Sequence, residues 1–167
     1  MAKPVSVVVT KSDRSGDWFE LRCLPSIREN DPAEIIVENG QGTVLDKRSA
    51  GLAKATQPFV LVGREDMVLY EWALGKMAKT LEAIKDVSFV YCDWREVSGR
   101  KHSARKAKAW DEKDPEACVV ALIRREALAD LELKDPDGAD LWKALAAKGR
   151  IGLYIGETLL EVHALNG

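Results

Sequence analysis

The chain has 167 residues, 46% of them hydrophobic, with 25 Lys and Arg against 27 Asp and Glu for a net charge of −2. That balance fits a folded protein whose core needs no disulfide or metal, and it excludes both a uniformly basic nucleic-acid coat and a strongly acidic mimic. Three scattered cysteines (Cys23, Cys92, Cys118) without a C-x-x-C, and no long apolar run before Asp13 and Arg14, point to reduced thiols in a cytoplasmic protein with no secretory leader.

Taken in chain order, the β-branched run 4–10 reads as a strand. From Trp18 to Leu24, Phe19, Leu21 and Cys23 alternate with Trp18, Glu20 and Arg22, the period of a half-buried strand, and Pro25 and Pro32 bracket a loop. Ile35-Ile36-Val37 forms a short strand ending in Asn39-Gly40-Gln41-Gly42, which has hairpin-turn chemistry. Residues 46–57 read as an ambiguous stretch with a short helix as one option, and Phe59–Val62 as a strand.

Met67, Tyr70, Leu74, Met77, Leu81 and Ile84 share one helical stripe and predict a long amphipathic helix over 65–84. A strand over 87–94 follows, then a polar basic stretch over 95–108. The apolar run 117–123 reads as a buried strand, with helix as the alternative because Asp114-Pro115-Glu116 also suits a helix start. It is far shorter than the ~20 residues that cross a bilayer. Residues 124–133 read as helical.

A second helix is expected over 138–148, capped by Asp137, with Asp140 in its first turn and Gly149 after its last. Strands over 150–155 and 158–165 would then form a hairpin around Gly156-Glu157. These elements predict an α+β fold, a single domain over 1–167 with a mixed or antiparallel sheet of about five to seven strands.

Linear motifs for chemistry are few. His102 and His163 stand in no metal-ligand or nucleophile–base spacing, no phosphate-binding glycine loop is present, and no cofactor or metal is indicated. Glu132-Leu133-Lys134 fits the E-x-K element of metal-dependent nucleases, for which Asp93 or Asp111 would supply a second acid. Residues 100–108 carry Arg100, Lys101, Arg105, Lys106 and Lys108 without an acid, and Trp110 follows, a combination that can neutralise phosphates and stack on bases. On the helix expected at 65–84, Val68, Trp72 and Lys76 lie opposite the apolar stripe, where a tryptophan can anchor a partner.

The expectation from sequence is therefore a non-catalytic interaction module, of inhibitor, immunity or assembly-subunit type. It would bind another protein or its own copies, away from membranes, through Val68, Trp72, Lys76 and Trp110. The alternatives are nucleic-acid binding through the 100–110 segment and a metal-dependent nuclease.

Overall fold

A computed structural model describes residues 2–117 and 119–165. The sheet begins with β1 (Lys3–Thr10). Val5, Val7, Val8 and Val9 are all at most 1% exposed, odd and even positions alike, so both faces of the strand are covered. β2 (Pro32–Glu38) and β3 (Phe59–Arg64) flank it, each parallel to it.

Parallel neighbours need crossover connections, and here both are helical. The first runs through a 3₁₀ turn (Asp13–Ser15), α1 (Gly16–Trp18), a π-helical turn (Phe19–Cys23) and α2 (Leu24–Glu29). The second is α3 (Val44–Lys54), whose start is fixed by a reciprocal capping box between Thr43 and Asp46. α3 presses so closely on β1 that a Cβ at Gly51 would stand 2.4 Å from Val8 Cγ1, so only glycine fits there.

The other strands are β4 (Met67–Leu69), β5 (Phe89–Ser98), β6 (Lys101–Arg105), β7 (Ala121–Arg124) and β8 (Gly152–His163). The helices α4 (Ala73–Ala83), α5 (Arg125–Leu128) and α6 (Leu141–Ala147) complete the set. The sheet order is β2-β1-β3-β7-β5-β8-β4, with β6 paired to β5. β7 runs antiparallel to β3 and β5, β5 is parallel to β8, and β4 is antiparallel to β8. The mixed sheet and α+β class follow the sequence reading. Phe19, Ile27, Leu61, Leu74, Met77, Leu81, Phe89, Tyr91, Leu122 and Ile123 fill the core.

Several elements differ from expectation, each for a physical reason. Trp18–Leu24 is helical: Phe19, Cys23 and Ile27, four apart, are buried, while Leu21 stands 71% exposed. Pro25 lies within this helical run, directly after the π-helical turn, rather than at the edge of a loop. The turn after β2 leads into α3 and makes no hairpin, since β2 pairs with β1.

The helix expected at 65–84 begins only at Ala73. Met67 and Leu69 are buried as a strand against β8, and Trp72 occupies the N-cap position of α4. The basic stretch after residue 94 is an extension of β5 that turns at Gly99-Arg100 into β6. Of the apolar run 117–123 only its end belongs to β7, and Cys118 lies outside the described residues. Residues 124–133 keep a single short helix, α5.

The second helix spans Leu141–Ala147, with Asp140 rather than Asp137 at its N-cap position; Gly149 (φ +71°) follows it. No hairpin forms at Gly156-Glu157. β8 runs continuously beside β5, and its pairing skips residues where Cys92 faces Ile155, Asp93 faces Thr158 and Trp94 faces Leu160. The extra residues form bulges that bend the strand.

Candidate functional site

In an open sheet with parallel strands, ligands bind beyond the carboxyl ends of the strands, where the winding reverses. Here the chain goes from β1 outward to β2 and then crosses back to β3, so that point lies between β1 and β3. Thr10 at the end of β1 pairs with Glu38 of β2 and Arg64 of β3, which brings three strand ends to one level.

Polar side chains converge on this edge. Asp66, 5% exposed, accepts from Arg64 Nε at 2.9 Å and Nη2 at 2.8 Å, a two-point fork, while Arg14 Nη2 approaches at 3.5 Å. The neighbouring Glu65 is taken by Ser12, whose N–H (3.3 Å) and hydroxyl (2.9 Å) donate to its Oε1. Lys47 Nζ donates to the carbonyl of Lys11 at 2.9 Å, tying α3 to the end of β1. Cys23 Sγ donates to the Arg64 carbonyl at 3.5 Å, and burial, with Asp66 nearby, pushes its thiol up to about 12.

Arg48 on α3 is the unusual member. Its Nη1 donates to the Gly138 carbonyl at 3.0 Å, but its Nε is buried without a hydrogen-bond partner among the described residues. Burial first, and then the positive charge of Arg64, push its pKa down, against the pull of Asp140 and Asp137. Gly138 (φ +72°) lies so near that a Cβ would stand 2.3 Å from Arg48 Nη1. The segment before α6 is latched over α3 by Leu45 N–H to the Pro136 carbonyl, 2.9 Å. Arg48 thus keeps a buried donor that the described residues leave unmet, a costly arrangement unless an acceptor reaches it.

Next to this edge a cleft of about 320 Å³ is lined by Arg14, Asp66, Glu96, Lys101, Arg105 and His163, among others. β8 delivers His163: its backbone N–H donates to the Asp66 carbonyl (2.8 Å), its Nε2 lies 2.9 Å from Glu161 Oε1, and its ring lies 5.2 Å from that of Trp18. A larger groove of about 900 Å³ lies around the opposite end of β3, between α3 and α5. Its walls are mainly aliphatic (Leu52, Leu128, Leu131, Leu133), and Arg124 and Arg125 edge it. The smaller cleft, not the larger groove, adjoins the charged strand ends.

The side chains singled out from sequence are spread over the fold, and two of them line the smaller cleft. Trp72 is 54% exposed, 5.5 Å from the Tyr70 ring, and Lys76 pairs loosely with Glu157 at 3.6 Å. Val68 lies on β4 opposite Glu161, and Trp110 packs edge-on against Phe89 at 4.9 Å, so these residues form no common helix face. Arg100 sits in the β5–β6 turn, Arg105 pairs with Glu96 at 3.0 Å, and Lys108 contacts Asp114 and Glu116, while Lys106 is exposed. Of the basic set, Lys101 and Arg105 reach the cleft. Asp93 is buried and accepts from Tyr154 Oη (2.6 Å) and Ala107 N–H (2.8 Å). Asp111, Glu132 and Lys134 are exposed, and among the described residues no three acidic, His or Cys side chains come together as a metal site would require. Arg48, Arg64 and Asp66 went unnoticed in the sequence: Arg64 ends β3, Asp66 follows two residues later, and Arg48 lies within α3, so only the acidic turn after an apolar strand was a local signal.

No family model matches the sequence, and no curated protein does. Among solved structures, S. aureus TarS residues 1–349 superposes with a TM-score of 0.69 at 14% identity, over 98% of this chain and 60% of that one. The same TarS fragment in complex with UDP-GlcNAc gives 0.69 at 13% identity, over 100% of this chain and 60% of that one. The fold is similar to that of part of TarS.

The chain spans 60% of the length of these TarS fragments and 37% of a longer TarS structure, which also superposes at 0.69 with 12% identity. The TarS likeness corrects the reading of this chain as a non-catalytic interaction module and its two nucleic-acid alternatives. One of these TarS fragments is seen in complex with UDP-GlcNAc. Among the described residues no helix is long and apolar enough to cross a membrane.

Proposed function

We propose that this chain binds a nucleoside diphosphate sugar in the crevice at the carboxyl ends of β1 and β3, as the donor-binding part of a glycosyl-transfer protein. The observation that carries the reading is Arg48: a guanidinium with a buried, unpartnered Nε, lying near Arg64 at the point where the winding of the sheet reverses. A diphosphate offers acceptor oxygens to the unmet Arg48 donor and negative charge to the cations gathered at this edge. The likeness to TarS with UDP-GlcNAc favours a nucleotide sugar over other diphosphates. In this reading the β1 end and α3 contact the nucleotide, and the cleft beside Asp66 receives the sugar.

The test is calorimetric titration with UDP-GlcNAc, UDP and a panel of other nucleotide sugars. Binding is expected for at least one of them, and Arg48→Gln should weaken it by about tenfold or more, the loss expected for a charge-assisted contact to phosphate. Absence of binding across the panel at millimolar ligand overturns the reading.

A further inference from the structure

The acidic pair Glu65-Asp66, at the carboxyl end of β3, stands where a cation bridging protein and diphosphate would be expected. Magnesium and similar ions are commonly held by one or two carboxylates together with substrate phosphates. Such an ion needs carboxylate oxygens free to coordinate at ~2.1 Å in near-octahedral geometry. Neither carboxylate meets that need. Both Asp66 oxygens already accept from Arg64, at 2.9 and 2.8 Å, and Oδ2 also faces Arg14 at 3.5 Å. Glu65 is held by the Ser12 hydroxyl at 2.9 and 3.0 Å on its two oxygens.

A divalent ion bound at Asp66 would have to displace a guanidinium from a carboxylate only 7% exposed, in the company of the positive charges of Arg64 and Arg14. Among the described residues no three His, Cys, Asp or Glu side chains come together in a way that could hold a metal ion. The residues do not fit the group.

We infer that the charge of the diphosphate is met in this crevice by guanidinium groups, Arg14 and Arg48 foremost, and not by a divalent cation. Asp66 then serves as the pin that holds Arg64 and Arg14 at the mouth of the crevice. Arginine suits the task because its planar fork can hold a carboxylate on one edge and phosphate oxygens on another. Arg14 and Asp66 both line the cleft next to the strand ends, so the pinned side chain faces the space the ligand would occupy. This inference rests on the nucleotide-sugar reading above and adds how that site handles charge.

The experiment has two arms. In the first, UDP-GlcNAc is titrated into the full chain in EDTA and again in millimolar MgCl2 or MnCl2. The dissociation constants should agree within about twofold, and Arg14→Gln should weaken binding about five- to tenfold in both buffers. Arg14 is 58% exposed, so its replacement leaves the fold in place, which a circular dichroism spectrum verifies. In the second arm, MnCl2 alone is titrated and free Mn²⁺ is read by electron paramagnetic resonance, with no retention expected below millimolar metal.

Binding of UDP-GlcNAc that appears only with metal, or Mn²⁺ retention that disappears in Asp66→Asn, overturns this inference and leaves the nucleotide reading standing. Unchanged affinity in Arg14→Gln also overturns it. Failure of UDP-GlcNAc to bind in either buffer, with the other nucleotide sugars equally silent, removes the nucleotide reading and this inference with it.

Discussion

Replacing Asp66 by asparagine isolates the pin at the end of β3. The amide keeps the shape, removes the charge and turns an NH2 donor toward the guanidinium donors of Arg64, so one of two forked hydrogen bonds is lost and the other loses its charge assistance. Hydrogen bonds to charged groups each contribute about 1.5–3 kcal/mol. Arg64 is 41% exposed at its side chain and recovers part of the loss from water, which leaves a net cost of about 2–3 kcal/mol. For a chain of this size each kcal/mol lowers the melting temperature by ~2–4 °C, so the expected fall is about 4–12 °C. Thermal unfolding followed by circular dichroism at neutral pH reads it directly. High salt should leave most of the difference, because the Asp66 carboxylate is only 7% exposed and poorly screened. A melting temperature within about 1 °C of the parent chain would show that the fork does not hold this edge together.

Two further outcomes are expected. Cys23 has no solvent exposure and a thiol pushed up to about 12, so it should resist a thiol reagent at pH 8 in the native chain and react on unfolding; rapid native modification at Cys23, located by mass spectrometry, would contradict its placement. Glu34 is held below its ordinary range first by the Ser6 hydroxyl, with further hydrogen bonds from the Thr56 backbone and hydroxyl. A lowered carboxyl pKa gives stability that is present above the unfolded value and is lost as pH falls through the folded one. Denaturant unfolding should therefore show Glu34→Gln less stable near neutrality, with the gap closing in acid; a gap constant with pH would refute the assignment.

The sequence was most legible where the local pattern and the final environment agree. β1, β2 and β3 carry β-branched runs that end up in the sheet. The stripe from Met67 to Ile84 misled because Met67 and Tyr70 fall on a helical period while belonging to a strand and a turn. Partnership with β8, distant in sequence, decides that segment, and periodicity carries no information about it. The alternation at 18–24 failed in the opposite direction, since the π-helical turn shifts the buried face. The crevice was invisible for a further reason. Arg14, Arg48 and Asp66 come from three separate connections, each unremarkable as a surface polar residue, and only the strand register places them together.

The bulged course of β8 also bears on how the molecule comes together in time. The bent strand pairs with both β5 and β4, and its far end hands the His163 N–H to the Asp66 carbonyl, so the tight turn behind the acidic pair is completed by a residue near the other end of the sequence. Contacts between such distant residues form late, because a long loop must close before they contribute anything. During synthesis the β-α-β-α-β half can therefore emerge and wind on its own, while β4 and one edge of β5 wait with unpaired backbone groups until β8 arrives. Those waiting edges are where a newly made chain is most exposed to pairing with a neighbour, and docking of the last strand removes that exposure in the same step that completes the cleft.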